Sequence, residues 1–238
     1  IGGVAFTQGD YGTAQSLYNE SLMIYRQIGD KFGIAALLSS LASVAGQQGD
    51  YEEAKALYNE CLSQYREMGS KSYIASILLS LGDLASIQGD YTAARAFSEE
   101  SLALYRELGE KQSIATLLLN MGKDACFQEE YASGRESYLE ALNIGMEIGA
   151  KFTIMYGLIG LAAVAAGSNA VERAARLAAA TETLRVSINV VFEVGERKLF
   201  ERTVAAAKES LGEAGFQSAW KAGQKLSIED AIALAMKE

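Results

Sequence analysis

The sequence predicts an all-α fold: a right-handed superhelical solenoid of antiparallel helix pairs, closed by a C-terminal helical cap. Three observations predict it. The chain repeats itself every 40 residues over its first two thirds. Half of its 238 residues are hydrophobic, with Leu and Ala abundant, and they recur at helical spacing. Proline is absent while the 23 glycines fall at regular intervals, so glycine must end the helices.

The repeat is read column by column. Tyr11, Tyr51, Tyr91 and Tyr131 align, preceded by Asp10, Asp50, Asp90 and Glu130. Glu20, Glu60, Glu100 and Glu140 align, then Leu22, Leu62, Leu102 and Leu142, then Gly29, Gly69, Gly109 and Gly149. Lys31, Lys71, Lys111 and Lys151 follow, with Ile34, Ile74, Ile114 and Ile154 three residues on. A strict period of this length marks a stack of supersecondary units, each too small to bury its own apolar face.

Each element follows from the local pattern. Residues 1–10 align with 41–50, the second half of a first helix, so the array is expected to start mid-repeat, as in a fragment of a longer protein. Periods run near 31–70, 71–110 and 111–150. Within one of them, Ile74, Ile77, Leu78, Leu81 and Ala85 give the first amphipathic helix, and Tyr91, Ala94, Phe97, Ser101, Leu102 and Tyr105 give a second. Gly49 is suited to a left-handed helix end, Asp50 to the next N-cap, and Glu53 to a capping box; Gly69 and Ser70 repeat the device. Ala14, Ala54, Ala94 and Gly134 form a small-residue column where helices approach closely. The array extends over 1–168, and 169–238 reads as a degenerate last repeat plus cap. There Asn169 and Glu172 can cap a helix, 186–194 is a β-branched run that fits a strand or a connector, a helix from about Gly195 breaks at Gly212, and Ser227 caps a last helix over 228–236.

Leu78, Leu81, Gly82, Ala85, Gly89, Tyr91, Ala94, Ser98 and Ser101 stand at the spacings of the tetratricopeptide repeat, which the chain resembles over roughly 1–168. Arg66 and Arg106 replace that family's closing proline, and each repeat is six residues longer. The phrase Tyr-Arg-x-x-Gly-x-Lys-x-x-Ile-Ala at 65–75 and 105–115 looks most like bacterial multidomain regulators and signalling ATPases, including relatives of the maltose-regulon activator. The resemblance implies a binding module whose concave groove is lined by the first helix of each pair. Carried over, those positions are Ser39, Ser43, Ser76, Leu79, Asp83, Ser86, Thr116, Leu119, Lys123, Phe127, Tyr156 and Ile159. A lysine-rich carboxylate clamp is not expected, because Lys123 is the only basic residue among them.

Composition narrows the function. Thirty acidic against 21 basic residues give a net charge of −9, which disfavours direct nucleic-acid binding. The acidity is uneven: residues 1–110 carry 14 acidic and 7 basic side chains, whereas 170–238 carry ten of each. With no histidine, no phosphate-binding Gly-x-x-x-x-Gly-Lys loop and no nucleophile elbow, an enzyme is not expected, nor a cofactor or metal. Cys61 and Cys126 do not make a disulfide framework, which fits a reducing, cytoplasmic setting; Cys61 belongs to a packed column and Cys126 is expected to be the more accessible. The apolar stretch 154–166 reads as a buried helix rather than a membrane span, and no leader is evident. The expected partner is a protein, a peptide or a neighbouring domain of the same protein. The alternative is a small inducer such as an oligosaccharide, with Phe127 and Tyr156 stacking on it.

Overall fold

The computed structural model describes residues 1–237. Among them twelve helices and no strand are found, and the chain divides into two compact units, Ile1–Gly109 and a second beginning at Glu110. The fold is all-α and of the helix-pair solenoid kind.

The first unit holds α1 (Gly2–Thr7), α2 (Tyr11–Ile28), α3 (Lys31–Gln48), α4 (Tyr51–Glu67), α5 (Lys71–Ile87) and α6 (Tyr91–Leu108). Within the unit each helix packs on the next, from α1 on α2 to α5 on α6. Leu38, Leu41, Leu62, Tyr65, Leu78 and Leu81 form its core, all nearly inaccessible to solvent. The pairing is held by buried polar contacts at a fixed register. The Cys61 thiol donates to the Ala35 carbonyl at 3.1 Å, and the Ser101 hydroxyl donates to the Ala75 carbonyl at 2.7 Å. Both belong to one repeat column, where only a small donor fits between two backbones.

Ion pairs keep the same register on the surface. Lys31 meets Glu67 at 3.4 Å and Lys71 meets Glu107 at 2.6 Å, each joining the start of a first helix to the end of its partner. Arg26 with Glu60 at 3.8 Å, and Arg66 with Glu100 at 2.7 Å, join successive second helices. All are about half exposed, so each contributes little individually.

The second unit holds α7 (Lys111–Phe127), α8 (Tyr131–Glu147), α9 (Lys151–Gly167), α10 (Val171–Ser187), α11 (Val194–Gly223) and α12 (Ile228–Ala235). Lys111 and Glu147 repeat the first-helix to second-helix ion pair. α9 is the most deeply buried helix, every residue from Thr153 to Ala165 being inaccessible, because α7, α8, α10, α11 and α12 all pack around it. That is why its sequence is apolar all round. Among the described residues no helix is long and apolar enough to cross a membrane. The β-branched run at 186–194 forms neither strand nor helix throughout: α10 ends at Ser187, and 188–193 connects it to α11. Gly212, at φ 65° and ψ 169°, breaks α11 at the expected place, and Ser227 caps α12 by accepting the Asp230 N–H at 3.0 Å.

Three capping expectations are corrected. Asp10, Asp30 and Asp90 accept first-turn N–H groups at 3.0–3.1 Å, but Asp50 and Ser70 form no side-chain cap bond. At both junctions the main chain does the closing: the Asp50 N–H donates to Ala45 O at 2.9 Å and the Ser70 N–H to Tyr65 O at 3.1 Å. Asn169 does not cap α10. Its φ of 62° makes it the left-handed residue that ends α9, in the column where Gly9, Gly49 and Gly89 stand. Asn tolerates this conformation better than most residues with a side chain.

Candidate functional site

In the first unit the groove positions lie on α3 and α5. Ser39 and Ser43 are one turn apart on α3, and Ser76, Leu79, Asp83 and Ser86 recur at three- and four-residue steps along one face of α5. Phe32 and Tyr73, whose ring centroids are 4.9 Å apart, bring the first turns of the two helices together. Ser76 and Asp83 are exposed, and Ser39, Ser43, Leu79 and Ser86 half-buried. Ser43 is fixed from beneath: its hydroxyl lies 3.1 Å from the Ser39 carbonyl and 2.9 Å from the Tyr58 hydroxyl. The result is a face of small, polar and apolar side chains carrying one carboxylate and no cation.

In the second unit Thr116, Leu119, Lys123 and Phe127 line α7, while Tyr156 and Ile159 belong to the neighbouring α9. Here the chain covers its own face. The first part of α11 lies against both helices. Lys123 Nζ is 2.8 Å from Glu196 Oε1, with both side chains largely buried. Arg202 reaches Glu129, at the α7–α8 turn, at 2.9 Å. Tyr156 and Ile159 are only 6% and 1% exposed. Phe152 and Phe192 flank the Tyr156 ring at 4.4 and 6.2 Å, and burial next to Glu196 pushes its hydroxyl up to about 12. Phe127 and Leu119 are half-buried against the same core. Tyr156 therefore presents no open ring face while α11 is in place.

Glu196, Arg202, Phe192 and Arg185 are the residues that repeat reasoning missed. Arg185 grips Glu182 with two bonds of 2.7 and 2.8 Å, donates to the Val190 carbonyl at 2.7 Å and lies over the Phe192 ring at 5.4 Å, so it pins the connector to α10. Phe192 repeats Phe152 one period earlier, whereas Glu196, Arg202 and Arg185 have no such counterpart.

The chemistry available is limited. Among the described residues no group of three or more His, Cys, Asp or Glu is placed to hold a metal ion. Both thiols are buried, Cys61 at 0% and Cys126 at 2% exposure, so neither is open to solvent, and residues of α11 line the pocket beside Cys126. Burial pushes both thiols up to about 12, so neither is a ready nucleophile in the folded chain.

Comparisons with known proteins bear on the fold. No curated protein sequence matches the chain. Among solved structures, BtubC (BKLC) from P. vanneervenii superposes with a TM-score of 0.71 at 19% identity, over 81% of this chain and 80% of that one, and shares the fold. The TPR2AB domain of yeast Sti1, in its pHSP90 complex, aligns over 99% of this chain and 96% of that one at 16% identity, with a TM-score of 0.39. The tetratricopeptide repeat family model matches residues 1–67 and 73–147, the spans that hold the pairs α3–α4, α5–α6 and α7–α8. The chain belongs to the tetratricopeptide repeat family.

Proposed function

We propose that this chain is the docking module of a larger bacterial regulatory protein, in which a protein, a peptide or a neighbouring domain seats on the first-helix face and alters the state of an effector domain. The tetratricopeptide fold supports a role in protein–protein interaction or scaffolding. The observation that carries the reading is the α3–α5 face: Ser39, Ser43, Ser76, Leu79 and Ser86 offer a shallow surface of small side chains against which a helix or extended segment can pack. The chain has no histidine to activate the serine hydroxyls of that face, which supports binding rather than catalysis.

The test is capture with and without a bulky charge in the face. The wild-type chain and Leu79→Arg and Ser43→Arg variants are used as baits, each checked for unchanged helix content. A partner retained by the wild type and lost from both variants supports the proposal. A metabolite that raises the melting temperature saturably, with no protein captured, overturns it in favour of the inducer-binding alternative.

A further inference from the structure

We propose that the first part of α11, residues 194–211, is a releasable cover over the α7–α9 face, and that its departure exposes Lys123, Phe127 and Tyr156 for docking. The proposal rests on the reading of the first-helix face as the docking surface, and it concerns how access to that face is controlled.

The cover sits on the very positions that the repeat carries over as binding residues. Its attachments are of the kind that can be exchanged. Two ion pairs tie it to α7 and the turn after it: Glu196 to Lys123, largely buried, and Arg202 to Glu129, about half exposed. A largely buried pair gains little net free energy, since desolvating two charges offsets their attraction. Here the offset is larger, because Glu196 Oε2 is buried without a hydrogen-bond partner.

Packing beneath the helix is incomplete as well. A cleft of about 160 Å³, partly open to solvent, lies between Cys126, Tyr131, Ala163 and Gly167 on one side and Leu199 and Thr203 on the other, so the two walls do not close on each other there.

Both ends of the cover are breaks in regular structure. Before it, the 188–193 connector contains Asn189 at φ 53°; after it, Gly212 stands at φ 65° and ψ 169°. A rigid helix between two non-helical joints can tilt as a body away from α7 and α9, pivoting along α10, where Ala207 packs on Ala175 and Arg185 anchors the connector. The incoming partner replaces what the cover supplies: an amphipathic helix with a carboxylate for Lys123 and an apolar residue one turn further on, as Leu199 follows Glu196.

Cys126 reports the opening, because it lines the cleft under the cover, and Cys61, buried in the first unit, is the internal control. The full chain is treated with a thiol reagent under native conditions, and labelling is resolved by peptide mass. Cys126 is expected to react faster than Cys61. Glu196→Gln should speed Cys126 labelling roughly tenfold, and Arg202→Glu, which sets a like charge against Glu129, up to about fivefold. Cys61 should not change, and circular dichroism should confirm that both variants keep their helix content. A labelled synthetic peptide of residues 190–211 should bind Glu196→Gln and not the wild type. Labelling of both cysteines at one common rate, in the wild type and in both variants, overturns the cover, because α11 then leaves only on global unfolding. A cover that opens in a chain that captures no partner leaves this inference standing and rejects the docking function instead.

Discussion

The Tyr138 ring occupies the space that a side chain at Gly160 would need: a Cβ there would lie 2.2 Å from the ring's Cε1 and Cζ atoms. The ring cannot retreat. On its other edge a Cβ at Gly122 would stand 2.9 Å from Cε2, and Tyr138 is 2% exposed. Two glycines from successive first helices thus form the slot for one second-helix tyrosine. Gly160→Ala should destabilise the second unit by about 1–3 kcal/mol through overpacking, read as a lowered urea midpoint. In a Tyr138→Leu background the same change should cost much less, since the clash is gone. Additive effects of the two substitutions would show that the slot is not the cause.

The repeat columns made the helix pairs, the glycine ends and the small-residue contacts legible, because each column carries one physical demand restated in every period. The tyrosine slot was less legible. Its column reads Tyr18, Tyr58, Ser98 and Tyr138, and the matching glycines Gly122 and Gly160 serve as clearance rather than as turns. The cover was not legible at all. Glu196, Arg202 and Phe192 make non-local contacts that occur once, so nothing in the periodicity placed them on the face that Lys123 and Tyr156 line.

Glycine should act with opposite signs at two places in the first unit. Gly89 ends α5 at φ 78°, where an L side chain is strained, so Gly89→Ala should cost about 1–2 kcal/mol. Gly46 lies within α3, and a Cβ there would meet nothing nearer than Ala54 Cβ at 4.0 Å. Gly46→Ala should therefore stabilise by about 0.5–1 kcal/mol, by restricting the unfolded chain. Urea midpoints for the two variants should bracket the wild type; a fall in both would mean that α3 is more tightly packed at Gly46 than these distances indicate.

The surface ladder should matter little. Lys71 and Glu107 are 2.6 Å apart, yet their side chains are 57% and 58% exposed. Glu107→Gln should lower stability by less than about 1 kcal/mol, and the difference should shrink in 1 M salt as screening replaces the pairing. The comparison is a pair of urea titrations at low and high salt. A large, salt-insensitive loss would assign Glu107 a packing role that its exposure does not support.

The buried thiols predict lability at high pH. Burial pushes Cys61 and Cys126 from an ordinary 9.0 up to about 12 in the folded chain. Between these limits the unfolded chain gives up thiol protons that the folded chain retains, so rising pH favours the unfolded state. The stabilisation is complete below about pH 9 and is lost progressively as pH climbs toward 12. The buried hydroxyls of Tyr65, pushed from 10.0 up to about 12, and Tyr138, raised well above 10.0 by its burial, add to the same trend from a higher onset. Urea midpoints at pH 8, 9.5 and 10.5 should fall for the wild type and fall less steeply for the Cys61→Ala/Cys126→Ala double variant, whose remaining slope comes from the buried tyrosines. The double variant will start from a lower midpoint, since Cys61 loses its bond to the Ala35 carbonyl, so the slopes and not the absolute values carry the test. Parallel slopes would mean that the thiols already reach solvent in the native state, which for Cys126 would require α11 to be open most of the time.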